Sequence, residues 1–366
     1  METKATDKIF FVVLILVFCG AVLLLNLRGL PSNPPQNLVV EQLDSRHPKR
    51  FCHRFDAMST DAILIVVADD AESARKMFAP AVAAVQRVEK LMSTYRPDSE
   101  VSCLNRAGKE KKVSLSAETR HVLKSALRFS DLTEGAFDVT YAPIRKVWRE
   151  GAEKGKIPTE KEIKRALKRV GSEHLIVGGK GARFEKTGMM VDLGGIAKGY
   201  AIEQAALAMK KAGAGKGWVD IGGDMRMIGR REDGEKWKVQ VRDPRPGDHP
   251  PIVLRLADAA VATSGDYARY FRIDEQKSSH IIDPRSGKPV QNVPSATVIA
   301  PDAMMADALA TSISVLRPEK AIKLVESLDG VECFIMRNKS ENPKSVSLRR
   351  SSGFNDFVMG ETLDEE

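Results

Sequence analysis

An aspartate and a threonine late in the sequence have the spacing of a metal site. In the stretch ADALATS, Asp307 and Thr311 stand four residues apart, so they share one face if the stretch is helical. A carboxylate and a hydroxyl, completed by backbone carbonyls and water, form the hard oxygen set that suits Mg²⁺. The same residue types also cap helices. The spacing alone leaves a magnesium site and a cap as alternatives.

A glycine-bearing segment, VDLGGIAKGYAIEQA, runs from Val191 to Ala205 and has the pattern of a strand, a turn and a helix. Such a turn presents backbone N–H groups at a helix N-terminus, where the helix dipole adds positive potential. Lys198 would reinforce that potential. The segment predicts an anion-binding turn, although it lacks P-loop spacing, and an ordinary tight turn is the alternative.

A histidine precedes a Pro/Gly-punctuated turn in HIIDPRSGKPV, which runs from His280 to Val290. Histidine is the side chain best suited to proton transfer near neutral pH. Taken alone, the stretch favours a buried structural histidine near a strand end. The alternative is that the turn holds His280 for chemistry.

Two further turns and two aromatic residues complete the set of candidates. In DIGGDMRMIG and ATSGDYARYF, glycine lets the backbone come close to a ligand, and Asp224 and Asp266 offer acceptors. Ordinary turn chemistry explains each stretch equally well. Tyr95 and Phe137 stand beside carboxylates. Aromatic faces next to polar groups suit a flat heterocycle, while core packing is the alternative.

Hydrophobic periodicity predicts the elements that must hold these residues. Short apolar runs predict strands at 62–68, 174–179, 188–195, 237–243, 252–258, 259–265 and 295–301. Helical spacing predicts helices at 71–95, 116–132, 159–171, 199–211, 307–316 and 318–328. Pro80 predicts a kink or early break in the first helix, Ser116 caps the second, and Thr159 with Glu162 forms a capping box. Gly171 is expected to close the third helix.

Composition sets limits on the class of protein. The chain has 366 residues, 43% of them apolar, enough for one large domain or two smaller ones. Its net charge is +8, and we interpret the basic residues as scattered. No basic run interleaved with aromatics and no zinc-finger or basic-zipper pattern is present, so we expect no nucleic-acid partner. A diffuse positive charge suits anionic substrates or an anionic membrane face.

The N-terminus predicts a membrane anchor. After a short segment at 1–8, residues 9–27 form an apolar run close to the length that crosses a bilayer. Phe18 disfavours cleavage or lipidation at Cys19. A Pro-rich linker at 28–50 follows, then a soluble region expected outside the cytoplasm. The four cysteines have no CxxC spacing; Cys19 lies in the apolar run, and the other three are interpreted as structural.

The order of the motifs resembles the ApbE family of FAD:protein FMN transferases. The resemblance runs from about Phe55 to Met336, and we assign 51–338 to that domain and 339–366 to a polar tail that frays. The motifs that carry it are MSTYRPDSEVSCLN, TEGAFDVT, VDLGGIAKGYAI, DIGGD, ATSGDYARYF, HIIDPRSGKPV and VIAPDAMMADALATSI.

The resemblance implies an α/β (α+β) fold of the T-fold-like type, with FAD in a cleft between two lobes. It implies Mg²⁺-dependent transfer of FMN from FAD to a Thr or Ser hydroxyl of an acceptor protein, with release of AMP. The implied metal ligands are Gly195, Asp307 and Thr311. The implied FAD-binding residues are Met58, Tyr95, Ala136, Phe137, Asp138, Asp192, Lys198 and Ile282 (or Ile281). His280 and Asp283 are implied as the catalytic pair.

The resemblance also implies partners and a location. The acceptors would be flavoproteins with a Ser/Thr flavinylation motif, such as Rnf or sodium-pumping quinone reductase subunits. The enzyme would sit at the bacterial inner membrane with its soluble domain facing the periplasm or cell exterior. One departure is Ser59, where the family usually has glycine after methionine. The alternatives are an FAD pyrophosphatase and a non-catalytic, membrane-tethered flavin-binding protein.

Overall fold

The computed structural model describes residues 38–43, 47, 49–109, 111–243, 251–265, 270–273, 276–291, 293, 295–339 and 342–360. The anchor predicted at 9–27 lies outside these residues, as do most of the linker and Asp266. Among the described helices, none combines the length and apolar character needed to span a bilayer.

A nine-stranded sheet organises the domain, and all of its paired neighbours are antiparallel. The strand order is β1-β2-β3-β7-β8-β11-β16-β17-β18. These strands are β1 (Glu41–Gln42), β2 (Arg50–Ala57), β3 (Thr60–Val67), β7 (Gly217–Ile221), β8 (Asp224–Ile228), β11 (Ala260–Ser264), β16 (Ser295–Ala300), β17 (Glu332–Lys339) and β18 (Asn342–Arg350). The smaller sheets comprise β4 (Val113–Ser114), β5 (Leu175–Gly178), β6 (Gly181–Phe184), β9 (Trp237–Val241), β10 (Ile252–Leu256), β12 (Tyr270–Ile273), β13 (Gln276–Ser279), β14 (Ile282–Asp283) and β15 (Lys288–Pro289).

Eight α-helices accompany these strands in the described chain. They are α1 (Ala71–Met92), α2 (Glu100–Ala107), α3 (Ala117–Leu132), α4 (Ala142–Glu153), α5 (Glu160–Leu167), α6 (Ala197–Lys211), α7 (Ala303–Val315) and α8 (Pro318–Glu326). Helix α6 packs against α1 and α7, and α7 packs against β11 and β16. The mixed α/β class predicted from the sequence is therefore confirmed.

A separate apolar cluster is built around the β9–β10 hairpin. Trp237, Val239 and Val241 are buried while Lys238 and Gln240 between them are exposed, the alternation of a strand with one face on a core. The cluster continues through Phe334 and other side chains of the central sheet.

The expectation of a frayed tail after residue 339 is wrong for the described part of that region. Residues 342–350 form β18 and pair with β17. Val346 and Leu348 are buried at alternate positions, and Phe354 beyond the strand is fully buried. Ser347 and Arg349, which alternate with them, are only half-buried, because every second strand residue points away from the core.

Three other local predictions differ from the structure. Residues 188–195 do not form a strand and contribute a single bridge, from Met190 to Tyr141. Helix α1 continues through Pro80 for 22 residues, so an early break is wrong. Helix α5 ends at Leu167, before the predicted stop at Gly171, although its capping box is confirmed.

The turn between β2 and β3 yields a stability prediction. Its two residues, Met58 and Ser59, have φ of 53° and 63°, as a type I′ hairpin turn requires. A left-handed backbone at a residue with Cβ costs about 1–2 kcal/mol. We expect Ser59→Gly to raise the free energy of unfolding by about 1 kcal/mol, measured by denaturant titration. Ser59→Ala is the matched control and gains nothing, since it keeps the Cβ; an unchanged or lower stability for Ser59→Gly would contradict the argument.

Candidate functional site

A cavity of about 190 Å³ collects most of the residues predicted to form the site. It is lined by segments far apart in sequence, from β3 to α7. The predicted site residues on its wall are Ala136, Phe137, Asp138, Asp192, Gly195, Lys198, His280, Ile282, Asp307 and Thr311. Met58, Tyr95 and Asp283 are not on this wall.

Asp307 and Thr311 occupy one face of α7, as the sequence predicts, and both reach the cavity. The capping alternative is wrong, because the N-cap is Asp302, whose side chain accepts the Met305 N–H at 2.9 Å. Asp307 is 4% exposed, and its Oδ2 accepts the Gly199 N–H at 2.8 Å. One N–H in the first turn of α6 is thus already bonded to the Asp307 carboxyl group.

The electrostatics of Asp307 favour a cation beside it. Burial raises the pKa of Asp307 to about 7, and the nearby Asp224 charge acts in the same direction. Lys198 and the Gly199 N–H act against this rise. A buried carboxylate whose charged form is disfavoured gains from a nearby positive charge.

The oxygen atoms around Asp307 are of the chemical type that Mg²⁺ binds. Gly195 lies against α7, since a Cβ placed on it would be 3.2 Å from Thr311 Oγ1. In the described residues no group of three His, Cys, Asp or Glu side chains could enclose a metal. A metal bound by Asp307 would draw other ligands from neutral hydroxyl and carbonyl oxygens and water, which Mg²⁺ accepts.

Lys198 lies in the first turn of α6 and forms an ion pair with Asp224. Asp224 is 4% exposed, and its second oxygen accepts the Thr263 N–H at 3.0 Å. This aspartate therefore links α6 to β8 and β11 beside the cavity. The sequence leaves a turn role and a ligand-acceptor role open for Asp224, and its contact with Lys198 arises only in the folded chain.

Gly199 is the point of closest approach between α6 and α7. A Cβ on it would lie 2.2 Å from the Ala303 carbonyl oxygen and 2.6 Å from Asp307 Cβ. Only glycine fits this crossing, because both atoms belong to a packed helix and have no room to move.

We expect Gly199→Ala to separate the two helices and displace Asp307 from the N–H that holds it. Overpacking of this kind costs about 1–3 kcal/mol, which chemical denaturation measures. Gly215→Ala is the control, since a Cβ there meets nothing within 4 Å. Equal stability of the two variants would contradict the proposed crossing.

The segment that carries His280 is anchored by α4 and α5. Trp148 Nε1 donates to the Gly287 carbonyl at 2.8 Å, and Gly287, at φ 72°, lies against Ile163. Ile282 is 4% exposed within the same apolar cluster and also lines the cavity. His280 is half-buried at the cavity wall, so the turn holds it toward the site rather than in the core.

The carboxylate of Asp138 faces the cavity but is engaged by the protein. Its Oδ1 accepts from the Thr140 N–H and hydroxyl at 2.7 and 2.6 Å, and its Oδ2 accepts from the Ser172 N–H at 3.1 Å. Burial raises the pKa of Asp138 in spite of these bonds. Phe137 next to it is 4% exposed and meets Phe129 edge to face.

Asp192 connects the cavity to a second concavity of about 360 Å³ that Tyr95 lines. Arg145 donates to Asp192 Oδ2 and also to the Tyr95 hydroxyl, the latter at 3.0 Å. The backbone before Asp192 is held by Asn105, whose amide bonds both the N–H and the carbonyl of Val191. Tyr95, 71% exposed, is thus a neighbour of the central cavity rather than part of it.

Met58 and Asp283 are absent from the cavity wall, although Thr60, Ile282 and Pro284 close to them in sequence line it. The Met58 N–H donates to Glu89 Oε1 at 3.2 Å. Asp283 accepts from the Arg285 N–H and guanidinium within the β14–β15 turn. Their flavin-binding and catalytic roles stay predictions. Cavity-wall residues that the sequence did not single out include Thr60, Tyr141, Thr263 and Ser264.

Known proteins share this combination of fold and motifs. Residues 58–335 match the ApbE family. The FAD:protein FMN transferase of Vibrio cholerae serotype O1 is 36% identical over 247 residues, covering 66% of this chain and 74% of that protein. One from Klebsiella pneumoniae is 30% identical over 306 residues, covering 81% and 86%.

Solved structures agree with the sequence relatives. The flavin transferase ApbE from Vibrio cholerae superposes with a TM-score of 0.73 at 27% identity, covering 87% of this chain and all of that chain. The ApbE protein from Thermotoga maritima gives a TM-score of 0.76 at 30% identity, covering 85% and 100%. The class is therefore that of the flavin transferases. This chain belongs to the ApbE family, which confirms the resemblance drawn from its motifs.

Proposed function

We propose that this chain transfers FMN from FAD to a Ser or Thr hydroxyl of an acceptor protein and releases AMP, with Mg²⁺ as cofactor. The observation that carries the proposal is the convergence of Asp307, Thr311, Lys198 and His280 on one cavity wall. The activity named for the relatives supports it. The central cavity is smaller than the roughly 300–1,000 Å³ typical of ligand sites, so FAD would extend into the concavity beside Tyr95, in keeping with the predicted cleft between two lobes.

The chain's own residues supply the proposed chemistry as follows. His280 accepts the proton of the acceptor hydroxyl, and the oxygen attacks the phosphorus of the FMN half. The bond from that phosphorus to the bridging oxygen breaks, and AMP leaves with this oxygen. Lys198 lies where it can balance phosphate charge, with Asp224 fixing its position. Mg²⁺, held by Asp307, Thr311 and the Gly195 carbonyl, would stabilise negative charge on the phosphates.

The membrane location is part of the proposal. The apolar run at 9–27 would anchor the chain in the bacterial inner membrane, with the domain facing the periplasm or cell exterior. Acceptors there would be membrane electron-transfer subunits of the Rnf or sodium-pumping quinone reductase type.

The direct test measures the intact mass of an acceptor. The whole 366-residue chain is incubated with FAD, Mg²⁺ and an acceptor domain from either subunit type. A mass gain equal to FMN, with AMP in solution, supports the transferase. Free FMN and AMP with unmodified acceptors from both types would establish the pyrophosphatase alternative, and intact FAD throughout would leave only a flavin-binding protein.

A further inference from the structure

A third concavity, of about 490 Å³, lies outside the proposed reaction site and is rich in positive charge. We call it the basic groove. It is formed mainly by α4, α5 and the chain between them. Its basic side chains are Lys146, Lys154, Lys156, Arg165 and Arg169.

The positive charge of the basic groove is only partly balanced. Two acidic residues line it, Glu150 and Glu162. Glu162 is engaged by Thr159 in the capping box, and Glu150 stands 3.9 Å from Lys146. In the part of the chain that the structure describes, the other four basic groove residues form no ion pair within 4.0 Å. From residue 145 to 169 the sequence holds ten Lys and Arg against four Glu, a local net charge of +6.

The basic groove also offers apolar contacts. Ile157, 51% exposed, stands on its wall beside Val147 and Met190. Charged residues around an accessible apolar strip suit a peptide that carries both acidic and apolar side chains. A free phosphate or nucleotide would not use the apolar strip.

The basic groove is continuous with the reaction site. It shares Asn105, Lys146 and Met190 with the concavity beside Tyr95. That concavity shares Asp192 with the central cavity. A protein bound along the basic groove would therefore lie next to the proposed FAD site.

We propose that the basic groove docks an acidic segment of the acceptor protein. This rests on the proposed transferase function, which requires a second protein to bring its hydroxyl to the cavity. Concavity and continuity with the site favour a peptide over an anionic membrane, which would need a flat or convex face. Attraction between the basic groove and the acidic segment would raise the rate at which the two proteins associate. Added salt would weaken that attraction.

The test is a binding measurement that needs neither FAD nor turnover. A fluorescent peptide alternating glutamate with leucine is titrated with the whole chain. A peptide alternating lysine with leucine serves as the control of opposite charge. The groove variant carries Lys154→Glu, Lys156→Glu and Arg165→Glu, all at exposed positions. The matched control carries Lys124→Glu, Lys238→Glu and Lys323→Glu, also exposed and away from the groove.

We expect the groove variant to bind the glutamate peptide about tenfold or more weakly, through three lost or reversed surface charge pairs, while the control binds like the parent. FAD binding by each variant, followed by flavin fluorescence, checks that the fold is intact. Equal binding of the peptide by parent and groove variant would overturn the proposal. Binding of anionic phospholipid vesicles in preference to the peptide would also overturn it. Failure of the proposed transferase function would show in the acceptor mass measurement, so it is distinguishable from failure of the docking proposal.

Discussion

Asp307→Asn is expected to lower FMN transfer by about 10²–10³-fold, the loss typical of one electrostatic group at a charged transition state. The substitution keeps the size of the side chain but removes its charge. Because the carboxylate is buried on α7 and faces the cavity, no nearby surface carboxylate can substitute for it. The deficit should be largest at limiting Mg²⁺ and should shrink as Mg²⁺ is raised.

The same substitution on the same helix provides the control. Asp302 caps α7, and asparagine caps helices as well as aspartate does, so Asp302→Asn should leave both transfer and stability unchanged. The measurement is acceptor mass gain against time over a Mg²⁺ titration. Parental transfer by Asp307→Asn at limiting Mg²⁺ would remove Asp307 from the metal site.

His280→Ala is expected to lower the rate of transfer by about 10²–10⁴-fold, the usual contribution of a positioned general base. FAD should still bind, because the central cavity keeps its other walls. The expected signature is therefore a lower kcat with little change in the FAD concentration at half-saturation. The measurement is acceptor flavinylation at several FAD concentrations, alongside direct FAD binding.

His121→Ala is the control for His280→Ala. His121 is exposed on α3 and lies with its ring 5.9 Å from that of Tyr200, away from the cavity wall. If His280→Ala raises the FAD concentration at half-saturation while leaving kcat near that of the parent, the residue positions the substrate and is not the base.

Helix α7 illustrates what the sequence could predict. The four-residue spacing of Asp307 and Thr311 fixes their common face wherever the segment is helical. Their assignment to a metal site comes from the family resemblance. Capping patterns were equally local, as Ser116 and the Thr159 capping box show. Strands with continuous apolar runs, such as β3, were predicted for the same reason.

Contacts between distant segments were not predictable in this way. The segment before Asp192 looks like a strand, but it is held by the amide of Asn105, 86 residues earlier. Asp224 on β8 reaches Lys198 on α6 only because the folded chain packs that helix against that strand. These partners lie too far apart along the chain for a local sequence pattern to include both.

Two local patterns in the sequence indicate features that its overall composition hides. Val346 and Leu348 alternate with polar residues, which is a strand pattern inside a polar stretch. From the sequence the basic residues are interpreted as scattered, yet residues 145–169 carry a local net charge of +6. Folding α4 against α5 turns that local excess into a groove.

The central cavity draws on nearly the full length of the described domain, from Thr60 on β3 to Thr311 on α7. Contacts this distant in sequence form late and slowly, so a nascent chain has no cavity until its last third has been made. Any ligand held there recognises only the finished fold, and by mass action it stabilises that fold by about 2.7 kcal/mol at one hundred times its dissociation constant. The supply of flavin would then set how much of the enzyme survives proteolysis, as well as how fast it works.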